Sequence, residues 1–314
     1  MMVVLLLLLN LNAGGTNSQN CLQFTDHVAR LRLESFREVN EWLQVVRTTD
    51  GSHLQIIRPT GRAAALHHVA DSLYHVREYE RARKTYLAVL KADSSAWSAM
   101  LYLGDTFYID DRYDTARYWF EKALASNPGS WKSWYYYGEL LAASGDTSAA
   151  WDAAIRSVIL NPYGAEGWGL LSLLSTMTGY QIWNPADSLH VWYSPSNPCL
   201  QADSLLLPAG FRQQLDPALL SSGNADERLL EFYRLETAWW RTHRPEEDET
   251  LYQKWWFLEY LLTISEVNEF RYHFIWSHKL MQVPELGLFL TDQEFHEMVE
   301  FFKSQFLFRT DPEY

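Results

Sequence analysis

Histidine, serine, cysteine and carboxylate side chains build most active sites, and this chain spaces them poorly for that use. His296-Glu297 opens the H-E-x-x-H pattern that sets two imidazoles on one zinc ion. The fifth position is Glu300, so one ligand is missing. His273 and His278 stand too far apart to share one helical face well, and the adjacent His67 and His68 point to different sides of a helix. Ser204 and the other serines lack a nucleophile-elbow setting, and the glycines are too scattered to cradle a phosphate. Cys21 and Cys199 are the only cysteines. They could pair in an oxidising compartment, but two thiolates alone cannot complete a structural zinc site. The expectation is no catalytic residues, no metal and no cofactor.

The elements that would position any site follow from a repeat. Gly104 and Gly138 lie 34 residues apart, as do Met100 and Trp134, Leu103 and Tyr137, Phe107 and Leu141, Ala116 and Ala150, and Pro128 and Pro162. One step back gives a weaker copy through Leu66, Ala70, Leu73, Ala82, Tyr86 and Val89, and one step forward gives half a copy through Trp168, Leu171 and Ser172 before the pattern dissolves near Gly179. Apolar residues at steps of three and four make one stripe per helix, so each unit reads as two helices. The small residues Ala70, Gly104, Gly138 and Ser172, with Ala82, Ala116 and Ala150 from the second helix, let the pair approach closely. Asp110-Asp111-Arg112 and Ser144-Gly145-Asp146 supply the turns, and Pro128 and Pro162 stop the second helices. No unit can bury its stripe alone, whereas stacked units can.

This pattern resembles the tetratricopeptide repeat. The family's W-x2-L-G-x2-Y…A-x3-F-x2-A-x4-P stands here as Met100, Leu103, Gly104, Phe107, Ala116, Phe120, Ala123 and Pro128, and again as Trp134, Tyr137, Gly138, Leu141, Ala150, Ala154, Ser157 and Pro162. The resemblance covers about residues 63–178. It implies an all-α fold, a right-handed superhelix of helix pairs, with a concave groove lined by first helices that binds peptides or protein segments without catalysis. Carried over by position, the groove residues are His67, Asp71, Tyr74, Leu101, Asp105, Tyr108, Lys132, Tyr135 and Glu139. One position is acidic three times running, at Asp71, Asp105 and Glu139, and rings stand between. Carboxylates beside rings suit a partner bearing Lys or Arg, through ion pairs and cation–π contact. The family's chaperone-tail clamp needs several basic side chains in the groove, and only Lys132 is present. The alternative is a groove filled by the chain's own C-terminal region.

Outside residues 63–179 the reading is coarser. Val28, Leu31, Leu33, Phe36, Val39, Leu43 and Val46 predict one amphipathic helix over 23–47, within an N-terminal helix and linker over 21–62. Residues 180–225 hold five prolines and read as a long ordered loop with a short helix or two. Residues 226–314 turn helical again and are aromatic-rich, with one stripe through Phe232, Tyr233 and Trp239, an apolar stretch from Trp255 to Ile264, and a last helix opened by Thr291-Asp292-Gln293-Glu294.

The apolar run Val3–Leu9 is too short for a bilayer span and fits a signal peptide over 1–20, although no Lys or Arg precedes it. The expectation is export to a periplasmic, cell-envelope or secreted location, or a cytoplasmic one if the run is not a leader. Ser18 and Asn20 depart from the lipoprotein signal before Cys21. The chain carries 26 Lys and Arg against 39 Asp and Glu, a formal charge of −13, which disfavours nucleic acid as a partner. Glu246-Glu247-Asp248-Glu249 reads as a solvated loop. Fourteen Trp, 18 Tyr and 15 Phe give a large rigid apolar surface to bury. The expected function is a protein–protein docking scaffold. The alternative is a carrier of a small apolar or sugar ligand in an aromatic pocket between repeats and C-terminal helices, with an enzyme sited there as a third reading.

Overall fold

The computed structural model describes residues 22–25, 39–49, 51–182, 191–194, 197–203, 207, 209–215, 225–243 and 284–309. The leader, Cys21 and the Trp255–Ile264 stretch lie outside them. The chain divides into two compact units, one of Glu38–Ile182 with Gly287–Tyr314, the other of Met1–Arg37 with Trp183–Leu286.

The first unit is a stack of helix pairs. They are α1 (Gly61–His75) with α2 (Tyr79–Ala92), α3 (Trp97–Tyr108) with α4 (Tyr113–Ser126), α5 (Trp131–Ala143) with α6 (Thr147–Leu160), and a lone α7 (Ala165–Thr178). Their spacing repeats the 34-residue period. Ala70, Ala82, Ala116 and Ala150 are fully buried between helices. A Cβ on Gly104 would stand 2.8 Å from the Phe120 ring, and one on Gly138 would stand 2.7 Å from Leu170. The helices therefore approach at distances that only a missing side chain permits. Ser172 is exposed, because α7 is followed by a strand and not by a second helix.

The turns repeat too. Arg77, Asp111 and Gly145, each 34 residues from the next, all adopt positive φ, at 62°, 57° and 83°. Each closes a tight helix–helix turn, and only the third unit uses the residue that takes this conformation without steric cost. Ser130 caps α5 by accepting from the Ser133 amide, and Asp146 caps α6 by accepting from Ala149. The buried Arg83 ties α2 to α3: its Nε donates to Thr106 Oγ1 at 3.1 Å, other nitrogens donate to the Thr106 carbonyl and Asp110, and the guanidinium lies 4.8 Å over Phe107.

Around this stack the chain adds short sheets that the helical spacing did not signal. Where one helix was expected over 23–47, the two ends are strands. β1 (Leu22–Thr25) lies in the second unit, and β2 (Leu43–Thr48) forms an antiparallel hairpin with β3 (Gly51–Ile56), pairing Leu43 with Ile56 and Thr48 with Gly51. The physical reason is visible in the run Leu43-Gln44-Val45-Val46-Arg47-Thr48, which is rich in β-branched residues and precedes a Gly-containing turn. Residues 26–38 are outside the described set. After α7, Gly179 takes a left-handed conformation at φ 72° and ends the helix, and β4 (Tyr180–Ile182) follows.

In the second unit β1 runs parallel to β6 (Asn197–Asp203), which pairs antiparallel with β5 (Val191–Ser194). Part of the expected 180–225 loop is therefore sheet, followed by α8 (Ala209–Gln214). The helix α9 (Ala225–Thr242) presents Phe232 and Tyr233, both buried, and the Phe211 ring meets Phe232 edge-on at 5.7 Å.

The C-terminal helix α10 (Asp292–Phe306) belongs to the repeat unit. Thr291 accepts from the Glu294 amide while Glu294 accepts from the Thr291 amide, a capping box at the run expected to open the last helix. It packs on α6, and its following strand β7 (Leu307–Arg309) pairs with β4. Flanking α5, α7 and α10 explain why α6 is buried on most sides, from Ala150 to Leu160.

Candidate functional site

The first helices α1, α3 and α5 carry the acidic row, one residue per helix. Asp71 is half-buried, Asp105 is only 4% exposed, and Glu139 is half-buried. Each carboxylate meets a phenol. Tyr86 donates to Asp71 Oδ1 at 2.8 Å, Tyr74 donates to Asp105, and Tyr135 bonds to Glu139. Burial and the neighbouring carboxylate push all three phenols above the ordinary tyrosine range, so they stay protonated donors. Asp71 also meets His67 Nδ1 at 2.9 Å. Among the described residues no Lys or Arg forms an ion pair with Asp105 or Glu139.

Burial raises the Asp105 carboxyl from 3.8 to about 6, with the Tyr74 hydrogen bond working the other way. Burial also raises Glu139, which feels Asp105. The Asp105 charge reaches Tyr74, Tyr102, Tyr108 and Tyr136, which line its surroundings. The row is therefore a negative field held in a wall of rings, with little cationic compensation.

A folded pKa above the unfolded value means that the native state binds the extra proton between about pH 4 and pH 6. Asp105 thus weighs least on stability below about pH 4, and its cost grows as pH rises and is complete above about pH 6. At about 1.4 kcal/mol per unit the ceiling is about 3 kcal/mol. Asp105→Asn keeps an acceptor for Tyr74. It is expected to gain about 2–3 kcal/mol in urea unfolding near pH 7.5 and nothing near pH 4. An equal effect at both pH values would show that Asp105 is not held protonated by burial.

The remaining expected groove residues fall in three groups. Tyr108 and Tyr135 stand half-buried on the same face, near Tyr113 and Tyr136. Leu101 is fully buried in a cluster with Phe120 and Leu140 and offers a partner no surface. Lys132 is paired with Glu41, so the single groove lysine is already neutralised.

That pair belongs to a segment whose role the sequence did not reveal. Residues 39–42 run along the stack ahead of the hairpin. The Val39 amide donates to Asn161 Oδ1 at 3.0 Å, Trp131 Nε1 donates to the Val39 carbonyl at 3.1 Å, and the Trp42 ring lies 5.9 Å from His67 and 5.5 Å from Trp97. What covers the His67 and Lys132 end of the stack is therefore an N-terminal strap. The C-terminal helix α10, by contrast, packs on α6, a second helix.

A second unanticipated arrangement lies under Trp42. Ser98 Oγ is 2.7 Å from His67 Nε2, and His67 Nδ1 is 2.9 Å from Asp71, the order of contacts in a serine-hydrolase triad. Ser98 is 1% exposed and His67 6%, and the Trp42 ring covers the imidazole edge-on. A substrate carbonyl cannot reach that oxygen. The arrangement reads as a buried polar tie between α1 and α3.

Two models of the tetratricopeptide repeat match this chain, over residues 70–130 and 119–152. Residues 70–152 of the chain thus carry tetratricopeptide repeats. Among solved structures, this chain is similar to the first TPR of Spaghetti bound to an HSP90 peptide, at 18% identity over 37% of this chain and 92% of that one, with a TM-score of 0.36. It is also similar to the MamA protein, at 14% identity over 80% and 98%, TM-score 0.34. A third is the Yersinia enterocolitica type III secretion translocator chaperone SycD, at 20% identity over 37% and 87%, TM-score 0.32. With TM-scores below 0.5, none of these similarities bears on what this chain binds. No protein of curated function matches it in sequence.

Proposed function

We propose that this protein is a non-catalytic docking module whose first-helix groove takes a partner segment rich in Lys and Arg. One observation carries the reading. Asp71, Asp105 and Glu139 form a row of carboxylates capped by phenols, and among the described residues neither Asp105 nor Glu139 is paired with a cation. A buried carboxylate without a cation costs folding stability, and such costs concentrate where function requires them. Asp71 and Glu139 supply reachable acceptors, the rings Tyr108 and Tyr135 supply cation–π faces, and Asp105 strengthens the field from below. The apolar leader supports export, so the partner would be another envelope or secreted protein.

The test is fluorescence anisotropy with two labelled peptides that alternate Leu with Lys or Leu with Glu. The Lys peptide is expected to bind, and to lose about tenfold in affinity as salt rises from about 0.05 to about 0.5 M, since exposed charge pairs are screened. Equal binding of both peptides, or of neither, contradicts the reading. The triad-like contact makes its own prediction. Ser98 is expected to remain unlabelled by a fluorophosphonate probe, and labelling at Ser98 would return the protein to the hydrolases.

A further inference from the structure

A cavity of about 240 Å³ lies in the repeat unit, bounded by the hairpin strand β2, the α4–α5 loop, the start of α5, the end of α6 and the entry to α10. It does not involve the acidic row. Its most unusual wall is Arg156. The guanidinium carbon lies over two rings, 4.9 Å from the Trp134 centroid and 4.9 Å from the Phe295 centroid. Contact with two rings restricts the group and leaves its N–H edge for bonding. Among the described residues that edge donates no hydrogen bond and forms no ion pair. Burial lowers the pKa of Arg156, so its environment is poor in water, while the charges of Asp152 and Asp292 act to keep the cation.

Three further groups here lack protein partners among the described residues. The exposed Arg47 on β2 lines the cavity and makes no ion pair with them. Gln44 and Asn127 also line it, and Gln44 Nε2 and Asn127 Nδ2 are buried without an acceptor. A buried donor left unmet costs about 1–3 kcal/mol. Four donor groups around one cavity, with no protein acceptor among the described residues, point to an acceptor-rich ligand. The remaining walls are largely apolar, with Val45, Leu160, Leu288 and Phe295 among them. The one acidic wall residue is Asp292. Two arginines against one aspartate leave a single net positive charge, which suits a monoanion and disfavours a phosphate dianion.

We infer that this cavity binds a small organic carboxylate, its head on the Arg156 and Arg47 edge with Gln44, its short apolar body against Leu160, Leu288 and Phe295. A planar guanidinium with a free edge matches a carboxylate with two parallel hydrogen bonds. This site is independent of the groove, and it gives a carrier role a ligand chemistry different from the neutral apolar or sugar molecule that the aromatic content alone suggests.

Isothermal titration of the full chain with hexanoate, benzoate, hexanamide and inorganic phosphate tests the inference. Hexanoate or benzoate is expected to bind at least tenfold more tightly than hexanamide and than phosphate. Arg156→Met keeps an apolar stem between Trp134 and Phe295 and is expected to lose at least tenfold in hexanoate affinity. Arg47→Gln, at an exposed position that leaves the fold intact, is expected to lose about threefold, as fits a weaker, solvent-screened charge. Equal affinity for hexanoate and hexanamide, no binding of either carboxylate, preferred binding of phosphate, or full hexanoate affinity in both Arg47→Gln and a folded Arg156→Met would each overturn it.

Discussion

The triple variant Asp71→Asn, Asp105→Asn, Glu139→Gln is expected to lose binding of a Lys-rich segment by about a hundredfold while remaining folded. The magnitude corresponds to two charge-assisted hydrogen bonds at roughly 1.5 kcal/mol each, from the two reachable carboxylates. Each replacement keeps an oxygen for its phenol, so Tyr86, Tyr74 and Tyr135 retain acceptors. Because burial raises the Asp105 carboxyl and no cation among the described residues pairs with it, stability near neutral pH should rise. Loss of affinity with a gain in stability separates a binding site from a structural network, since breaking a network lowers both. Peptide anisotropy and urea unfolding on the same preparation read the two quantities. A variant that is less stable and binds as before would place the row among structural elements.

The second large effect is expected at the helix–helix contact. Gly104→Leu should cost more than about 3 kcal/mol, enough to unfold much of the stack, since overpacking a tight core forces backbone to move. The missing Cβ faces the Phe120 ring at 2.8 Å and the Trp119 Cβ at 3.2 Å, and Phe120 is fully buried with nowhere to turn. Gly169 gives the control. A Cβ there meets nothing within 4 Å, on a helix, so Gly169→Ala should be neutral or add up to about 1 kcal/mol. Urea unfolding followed by circular dichroism distinguishes them. Equal midpoints for Gly104→Leu and the parent protein would refute the close packing of α3 on α4.

The repeat was legible because it is written in side-chain volume. Gly104, Gly138, Ala82, Ala116 and Ala150 recur at one period, and sterics allow little else at those places. The left-handed turns at Arg77 and Asp111 were not legible, since neither residue type signals positive φ as Gly145 does. The acidic row could be placed from the repeat register. Its phenol caps could not, because Tyr86 and Tyr74 reach it from another helix or another repeat. Leu101 shows the limit of position counting, as it faces the core. The strap from Val39 to Trp42 was hidden for a different reason. Its contacts to Trp131 and Asn161 span more than ninety residues of sequence, and the apolar spacing there also fits a helix. The C-terminal helix was legible from its opening Thr291-Asp292-Gln293-Glu294 run, whereas its packing on α6 left no local mark.

Thermal unfolding of the full chain near pH 7.5 with a saturating Lys–Leu peptide is the most direct measure of the central claim. A ligand that binds only the native state raises the transition, by about 2.7 kcal/mol at a hundred times its dissociation constant. The predicted result is a clear upward shift with the Lys peptide, none with the Glu peptide, and none with either in the triple variant. An equal shift in the triple variant, or no shift in the parent protein, would contradict the claim that the acidic row is a cation-binding groove.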